Sequence, residues 1–171
     1  DSSGKAGQLK PLVDDYKRRY PQNRSYLGQV LSNLAHTYYR DKQLPSATAT
    51  AAQAIAHEPS YRDVANYYVR WMYELGENRL PEAERILREA FGKVEPTKRH
   101  VICYALAFEV YRDRMKDVNR ARNEVRQMLR EEPPNDSKVS TAMNWYLSSA
   151  PDEGSFRRTA EELIKYSEAN G

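Results

Sequence analysis

Proline recurs along this chain at an almost constant interval. Pro59, Pro96 and Pro133 are each 37 positions apart, and the segment 44–47 (Leu-Pro-Ser-Ala) returns 36 positions later at 80–83 (Leu-Pro-Glu-Ala). A proline fits the first turn of a helix, because the N–H group it lacks would have no partner within that helix. An internal period of this length is typical of supersecondary units that stack on one another. The spacing therefore predicts a helical repeat protein.

Apolar residues also recur at helical spacing along most of the chain. Leu9, Leu12, Val13, Tyr16 and Tyr20 step by three and four positions, which indicates one buried face of an amphipathic helix. No segment alternates between apolar and polar residues for long enough to predict a strand. The chain has only 7 glycines in 171 residues, too few for many tight β-turns. The sequence predicts an all-α fold of nine helices with antiparallel neighbours.

Composition excludes several classes of protein. Hydrophobic residues make up 40% and charged residues 30% of the chain, as in a folded, soluble domain, and the single cysteine excludes an intrachain disulfide. The longest apolar run, 101–108, is too short to span a bilayer. The net charge of +3 argues against a nucleic-acid partner, which usually requires a sharper basic stripe. The first residues contain no secretory signal, and we leave the compartment open between cytoplasm and periplasm.

Residues 28–61 resemble the motif of the tetratricopeptide repeat (TPR) family, which has about 34 residues. Seven small or apolar residues lie at the family's expected positions: Leu31, Leu34, Ala35, Tyr38, Ala47, Ala54 and Pro59. Degenerate copies follow at 65–96 and 101–133. A partial leading helix, 9–20, and a final hairpin, 136–168, complete one predicted domain, 1–171. The resemblance implies antiparallel helical hairpins stacked as a right-handed TPR-like α-solenoid.

The resemblance also implies a function, that of a non-catalytic scaffold for protein–protein interaction. Such a scaffold binds a peptide or protein segment in its concave groove, with contacts from the first helix of each repeat. When the binding positions of the family are carried onto this chain, the partner-binding residues are Asn33, His36, Tyr39, Arg40, Arg70 and Tyr73. The third repeat would add Ala105, Glu109 and Arg112. Because the groove contains arginine and histidine, we expect a partner with some acidic character.

Tyrosine is unusually frequent, with 13 residues. Two pairs, Tyr38-Tyr39 and Tyr67-Tyr68, place neighbouring rings about 100° apart around their helices. We assign Tyr38 and Tyr68 to packing and Tyr39 to the inner face, and leave the side of Tyr67 open. Exposed tyrosine supplies rigid, amphipathic contact area and therefore suits a protein-binding groove. The alternative is that tyrosine replaces other large residues at repeat positions.

A basic face is the alternative binding site. Arg122, Arg126 and Arg130 recur every four positions, on the side of their helix away from its apolar residues. Such a stripe could contact phosphate groups or an acidic partner. The other interpretation is that these long side chains only cover the surface of the helix.

Catalytic and metal-binding patterns are weak in this sequence. Cys103 and His100 are three positions apart and share a helix face, but two ligands are too few for zinc. We predict that Cys103 packs as a small apolar residue between helices. Glycine-rich phosphate loops, GxSxG elbows and HExxH motifs do not occur. The chain is therefore predicted to be no enzyme and to need no cofactor or metal.

Two other functions stay open at the level of sequence. The segments 83–87 and 121–125 look similar to second helices of the half-a-TPR repeats of RNA-processing scaffolds. Degenerate TPR-like hairpins also occur in lipoproteins of bacterial outer-membrane assembly, and residues 1–4 would suit a tether in such a protein. A chaperone-tail clamp is not predicted, because Ser32 and His36 replace the Lys and Asn of that subtype.

Overall fold

The helices of this chain follow one another with short connections. A computed structural model describes residues 4–131 and 136–170, and within them the chain forms nine α-helices and no strand. The helices are α1 (Lys5–Arg19), α2 (Arg24–Arg40), α3 (Leu44–Ile55), α4 (Val64–Leu75), α5 (Leu80–Phe91), α6 (Arg99–Tyr104), α7 (Val118–Arg130), α8 (Ser137–Ser148) and α9 (Glu153–Asn170). The predicted all-α class is confirmed for this part of the chain. None of its helices has the length and apolar character needed to cross a membrane.

Several helix ends follow directly from local sequence. Pro45 and Pro81 lie in the first turns of α3 and α5, as their spacing predicts. The carboxylate of Asp136 accepts a hydrogen bond from the backbone N–H of Val139 and caps α8. At α9, the carboxylate of Asp152 accepts from the backbone N–H of Ser155 at 2.7 Å. Aspartate, a residue type favoured at N-caps, thus precedes both helices.

The chain divides after Lys98 into two compact units. The first unit contains α1 to α5. Its core includes Ala47 and Ala83, which have no exposed surface, in agreement with the small residues expected where helices approach closely. Helix α1 begins at Lys5, four residues earlier than the predicted segment 9–20, because the carboxylate of Asp41 accepts from the backbone N–H of Ala6 at 2.8 Å.

The second unit contains α6 to α9 and one feature that helical periodicity does not predict. After Tyr104, α6 continues as a π-helical segment, Ala105–Met115, in which residues five apart become neighbours. The side chains of Glu109 and Arg114 accordingly form an ion pair at 2.8 Å, in which Glu109 is buried and Arg114 is partly buried. The assignment of Ala105 and Glu109 to a partner-contacting face is wrong, because packing within the second unit buries both residues. The predicted third repeat, 101–133, ends outside the described residues.

Helix α2 passes close to the segment after α3, and Gly28 lies at that approach. A Cβ atom on Gly28 would lie 2.5 Å from Glu58 Cβ and 2.7 Å from the backbone nitrogen of Glu58. Real Cβ atoms do not approach other heavy atoms this closely. The absence of a side chain at Gly28 therefore permits the contact between α2 and residues 57–58.

Substituting Gly28 with alanine is expected to lower the free energy of unfolding by about 1–3 kcal/mol, because the new Cβ forces the two segments apart. The effect should exceed the gain in helix propensity, which is about 1 kcal/mol. Urea denaturation followed by circular dichroism measures the difference. Gly92→Ala is the matched control, because the nearest heavy atom there lies 3.7 Å away. A Gly28→Ala variant as stable as Gly92→Ala would contradict the close approach.

Candidate partner-binding face

Four aromatic rings meet on α2 and α4 of the first unit. Trp71 lies at their centre and is only 1% exposed. The ring of Tyr39 stacks on it with centroids 4.9 Å apart, and the ring of His36 meets it edge-on at 5.1 Å. Tyr67 lies 5.7 Å from Trp71 and 4.9 Å from His36. A buried tryptophan thus supports three rings nearer to the surface.

Three tyrosines of α2 and α4 remain accessible to a partner. Tyr39, Tyr67 and Tyr73 are each 37% exposed. The hydroxyl of Tyr39 donates to Glu74 Oε1 at 3.1 Å, and that of Tyr73 donates to Glu77 Oε1 at 2.6 Å. These bonds fix the orientation of both rings, and the bond to Glu74 also raises the pKa of Tyr39. A partner would therefore meet rings that are already ordered.

A polar edge flanks the aromatic rings. Arg62 Nη1 donates to Asn33 Oδ1 at 2.8 Å, and the Asn33 amide donates to the hydroxyl of Tyr61 at 3.5 Å. Arg62 and Asp63 both have positive φ, 51° and 54°, so the chain turns sharply just before α4. This turn brings Arg62 back over α2, although it lies 29 positions after Asn33.

His36 lies between the aromatic rings and the polar edge. Its Nε2 atom is buried and has no hydrogen-bond partner among the described residues. Burial lowers the pKa of His36, and the charges of Arg62 and Arg40 lower it further. The imidazole is therefore neutral at neutral pH, which leaves the positive charge of this face to its arginines.

Three arginines surround the aromatic rings. Arg40, Arg62 and Arg70 are all exposed. The guanidinium carbon of Arg70 lies 5.5 Å from the centroid of the Tyr67 ring. We call the surface formed by these residues the α2/α4 face: Asn33, His36, Tyr39, Arg40, Arg62, Tyr67, Arg70 and Trp71. Tyr73 is two positions after Trp71, about 200° around α4, and is not counted with this face.

The six residues predicted from sequence all lie on α2 and α4. The structure brings His36 and Tyr39 together through Trp71, and connects Asn33 to Arg62. Tyr67, whose side was left open, belongs to the same group of rings. Sequence reasoning missed Trp71, although its position four residues after Tyr67 indicates that the two share a helix face.

Other predicted positions are buried and cannot reach a partner. Tyr38 and Tyr68 are 9% and 2% exposed, which confirms their assignment to packing. Cys103 is also buried, as predicted. His100 does not pair with Cys103 in a reactive site, since its Nε2 contacts Asp136 Oδ2 at 3.1 Å. Among residues 4–131 and 136–170, no three His, Cys, Asp or Glu side chains cluster as metal ligands.

The predicted basic face needs a correction. Arg122 is not on an outer surface: it is only 8% exposed, and its guanidinium lies 4.3 Å from the centroid of the Tyr146 ring. Arg126 is partly buried and lies 3.6 Å from Glu162, while Arg130 is exposed. Contacts from Tyr146 on α8 and Thr159 on α9 cover the first residue of the stripe.

Comparison with known proteins leaves the family open. No model of a known protein family matches the chain, and no significant match to it occurs among curated proteins.

Proposed function

We propose that this protein is a non-catalytic scaffold that binds a peptide or protein segment on the α2/α4 face. The observation that carries the proposal is the group of half-exposed tyrosines held in place around a buried tryptophan. Tyr39 and Tyr67 offer apolar ring faces to a partner, while Trp71 supports them from below. Aromatic residues that are ordered before binding lose little entropy and are enriched among the residues that dominate binding energy.

The polar groups of the face favour an extended or helical polypeptide over a small apolar ligand. The Asn33 side chain lies at one edge, where an amide can bond to the backbone of a bound segment. The aromatic rings form the other part of the same surface. This combination of central aromatic anchors and a polar rim is typical of protein-binding sites.

Charge favours a partner with acidic character. Three arginines border the rings, and two neighbouring carboxylates, Glu74 and Glu77, accept hydrogen bonds from tyrosines. Arginine binds carboxylates through two parallel hydrogen bonds, so an acidic residue beside an aromatic or aliphatic anchor would suit this surface.

We also propose that α2–α3 and α4–α5 are TPR-like hairpins. The recurrence of Pro45 and Pro81 in the first turns of α3 and α5 supports this, as does the complete burial of Ala47 and Ala83 two positions later. The right-handed solenoid over the whole chain stays a prediction from the repeat period and the family resemblance.

Selection from a random peptide library displayed on phage would test the proposed function. We expect enrichment of peptides that combine acidic residues with an aromatic or large aliphatic residue. Tyr39→Ala and Arg70→Ala should each weaken binding of a selected peptide by about tenfold, as expected for anchors that contribute about 1–2 kcal/mol. Fluorescence anisotropy with a labelled peptide measures the affinity.

Two exposed residues elsewhere serve as matched controls. Tyr26 is 52% exposed on the first turn of α2, and the side chain of Arg18 on α1 is 77% exposed. Tyr26→Ala and Arg18→Ala should leave the affinity unchanged. The proposal fails if the control variants weaken binding as much as Tyr39→Ala and Arg70→Ala, or if selection enriches no peptide.

A further inference from the structure

The second unit contains a polar pocket of about 370 Å³ between α7 and the beginning of α9. Three guanidinium groups line it, from Arg122 and Arg126 on α7 and from Arg158 on α9. One carboxylate, that of Glu162, lines the same pocket. The charged side chains of the lining therefore leave an excess of two positive charges. The volume lies within the usual range of small-molecule sites, about 300–1,000 Å³.

Arg122 forms the buried wall of this pocket. Its guanidinium donates to the backbone carbonyl of Tyr146, to Ser149 Oγ at 2.9 Å and to Thr159 Oγ1 at 2.7 Å. All three acceptors are neutral, and together they occupy three of the five N–H donors of the group. The positive charge of a side chain that is only 8% exposed is thus held by dipoles. Burying a cation is costly when its hydrogen-bond acceptors are neutral, so an anion in the pocket would relieve this cost.

Arg126 and Arg158 approach the same space from the partly exposed side. Arg126 Nε is buried, makes no hydrogen bond to any residue that the structure describes, and lies 3.6 Å from Glu162 Oε2. Glu162 in turn accepts a hydrogen bond from the hydroxyl of Tyr146 at 2.7 Å, and its single negative charge balances only one of the three guanidinium groups. Arg158 Nη2 donates to Ser155 Oγ at 3.0 Å, so its guanidinium is oriented along the first turns of α9.

Asp152 is the other acid near the rim, and its oxygens are already engaged. They accept from the backbone N–H of Ser155 at 2.7 Å and from its hydroxyl at 3.1 Å, which caps α9. The hydrogen bonds from Ser155 lower the pKa of Asp152, and the charge of Arg158 contributes to the same shift. The carboxylate of Asp152 therefore serves the helix end, while the guanidinium groups face the pocket.

We propose that this pocket binds a phosphate group. Guanidinium groups from two helices can contact different oxygens of one tetrahedral anion, whereas a planar carboxylate has only two oxygens to offer. The site lies beside the first turn of α9, whose helix dipole adds to the attraction of an anion. This site is separate from the α2/α4 face and does not depend on the proposed function of that face.

The proposal can be tested on the full chain by nuclear magnetic resonance. Inorganic phosphate and phosphoserine with blocked termini are titrated separately at constant ionic strength, with chloride as the balancing anion. We expect saturable shifts of the arginine side-chain signals and of backbone amides in 119–126 and 153–162. Tighter binding of inorganic phosphate would identify a free anion as the ligand, and tighter binding of phosphoserine a phosphorylated protein segment.

Two neighbouring arginines provide the variant and its control. Arg158→Gln removes one exposed guanidinium from the pocket lining and should weaken phosphate binding by about tenfold. Arg157 is next in sequence and lies 3.6 Å from Glu153, with its side chain 74% exposed. Arg157→Gln should leave the affinity unchanged. Absence of saturation with both probes, or equal weakening by the two variants, would overturn the proposed phosphate site.

Discussion

Replacing Trp71 with alanine is expected to lower the free energy of unfolding of the first unit by about 3–5 kcal/mol, the usual cost of removing a buried aromatic ring. Trp71 is almost completely buried and contacts the rings of His36, Tyr39 and Tyr67. Its loss would leave a cavity below three side chains that no longer have support. Urea denaturation followed by circular dichroism measures the change.

The second tryptophan of the chain is a natural control. Trp145 is only partly buried, and its ring contacts that of Phe108 edge-on at 5.2 Å. Trp145→Ala should therefore lower the free energy of unfolding less than Trp71→Ala does. Trp71→Phe keeps an apolar ring at the centre of the face. It should also lower the free energy of unfolding less than Trp71→Ala does. Equal losses for the two alanine variants would contradict a supporting role for Trp71.

Replacing Glu58 with alanine should have the next largest effect and lower the free energy of unfolding by about 2–4 kcal/mol. Glu58 is 6% exposed and accepts hydrogen bonds from Ser25 Oγ at 2.7 Å, Ser60 Oγ at 2.6 Å and Lys98 Nζ at 2.7 Å. Its removal leaves three donors without their acceptor. Because the Lys98 side chain is 22% exposed, water can partly replace the lost carboxylate.

Glu95 provides the control for this substitution. Its carboxylate lies 3.9 Å from the same lysine, but its side chain is 76% exposed. Exposed ion pairs contribute at most about 1 kcal/mol, so Glu95→Ala should change stability very little. A similar loss for Glu58→Ala and Glu95→Ala would show that the buried hydrogen bonds of Glu58 do not stabilise the unit.

Glu58 should also make stability dependent on pH. Burial alone would raise the pKa of Glu58, but the hydrogen bonds from Lys98, Ser60 and Ser25 outweigh it and place the pKa below the ordinary value of glutamate. The folded state therefore binds this proton less readily than the unfolded state. The contribution of Glu58 to stability is fully present above the pKa that this residue has in the unfolded chain. It is lost as the pH falls through the pKa of Glu58 in the folded state. Glu58→Gln should remove this part of the dependence of stability on pH.

Much of the fold could be predicted because its determinants are local. Helical spacing predicted the all-α class, and proline positions located the starts of α3 and α5. Asp136 and Asp152 are local signals of the same kind at the starts of α8 and α9. Each of these signals depends on residues within one or two turns, which is the range over which capping and periodicity act.

The features that escaped prediction depend on contacts between distant residues. The spacing of Arg122 indicates only which side of α7 it occupies, and nothing in that segment shows that α8 and α9 cover it. The central position of Trp71 likewise depends on the packing of α4 against α2. The π-helical segment changes the register of Glu109 relative to its neighbours, and apolar periodicity at 3.6 residues per turn cannot detect such a change.

The central claim is that the α2/α4 face binds a peptide. Its most direct test is the change in backbone amide chemical shifts when a selected acidic peptide is added to the isotope-labelled protein. We predict that the largest saturable changes occur in 33–40 and 61–73, and that Tyr39→Ala reduces them at equal peptide concentration. Saturable changes confined to 118–130 and 136–170 would contradict the claim and place the binding surface in the second unit.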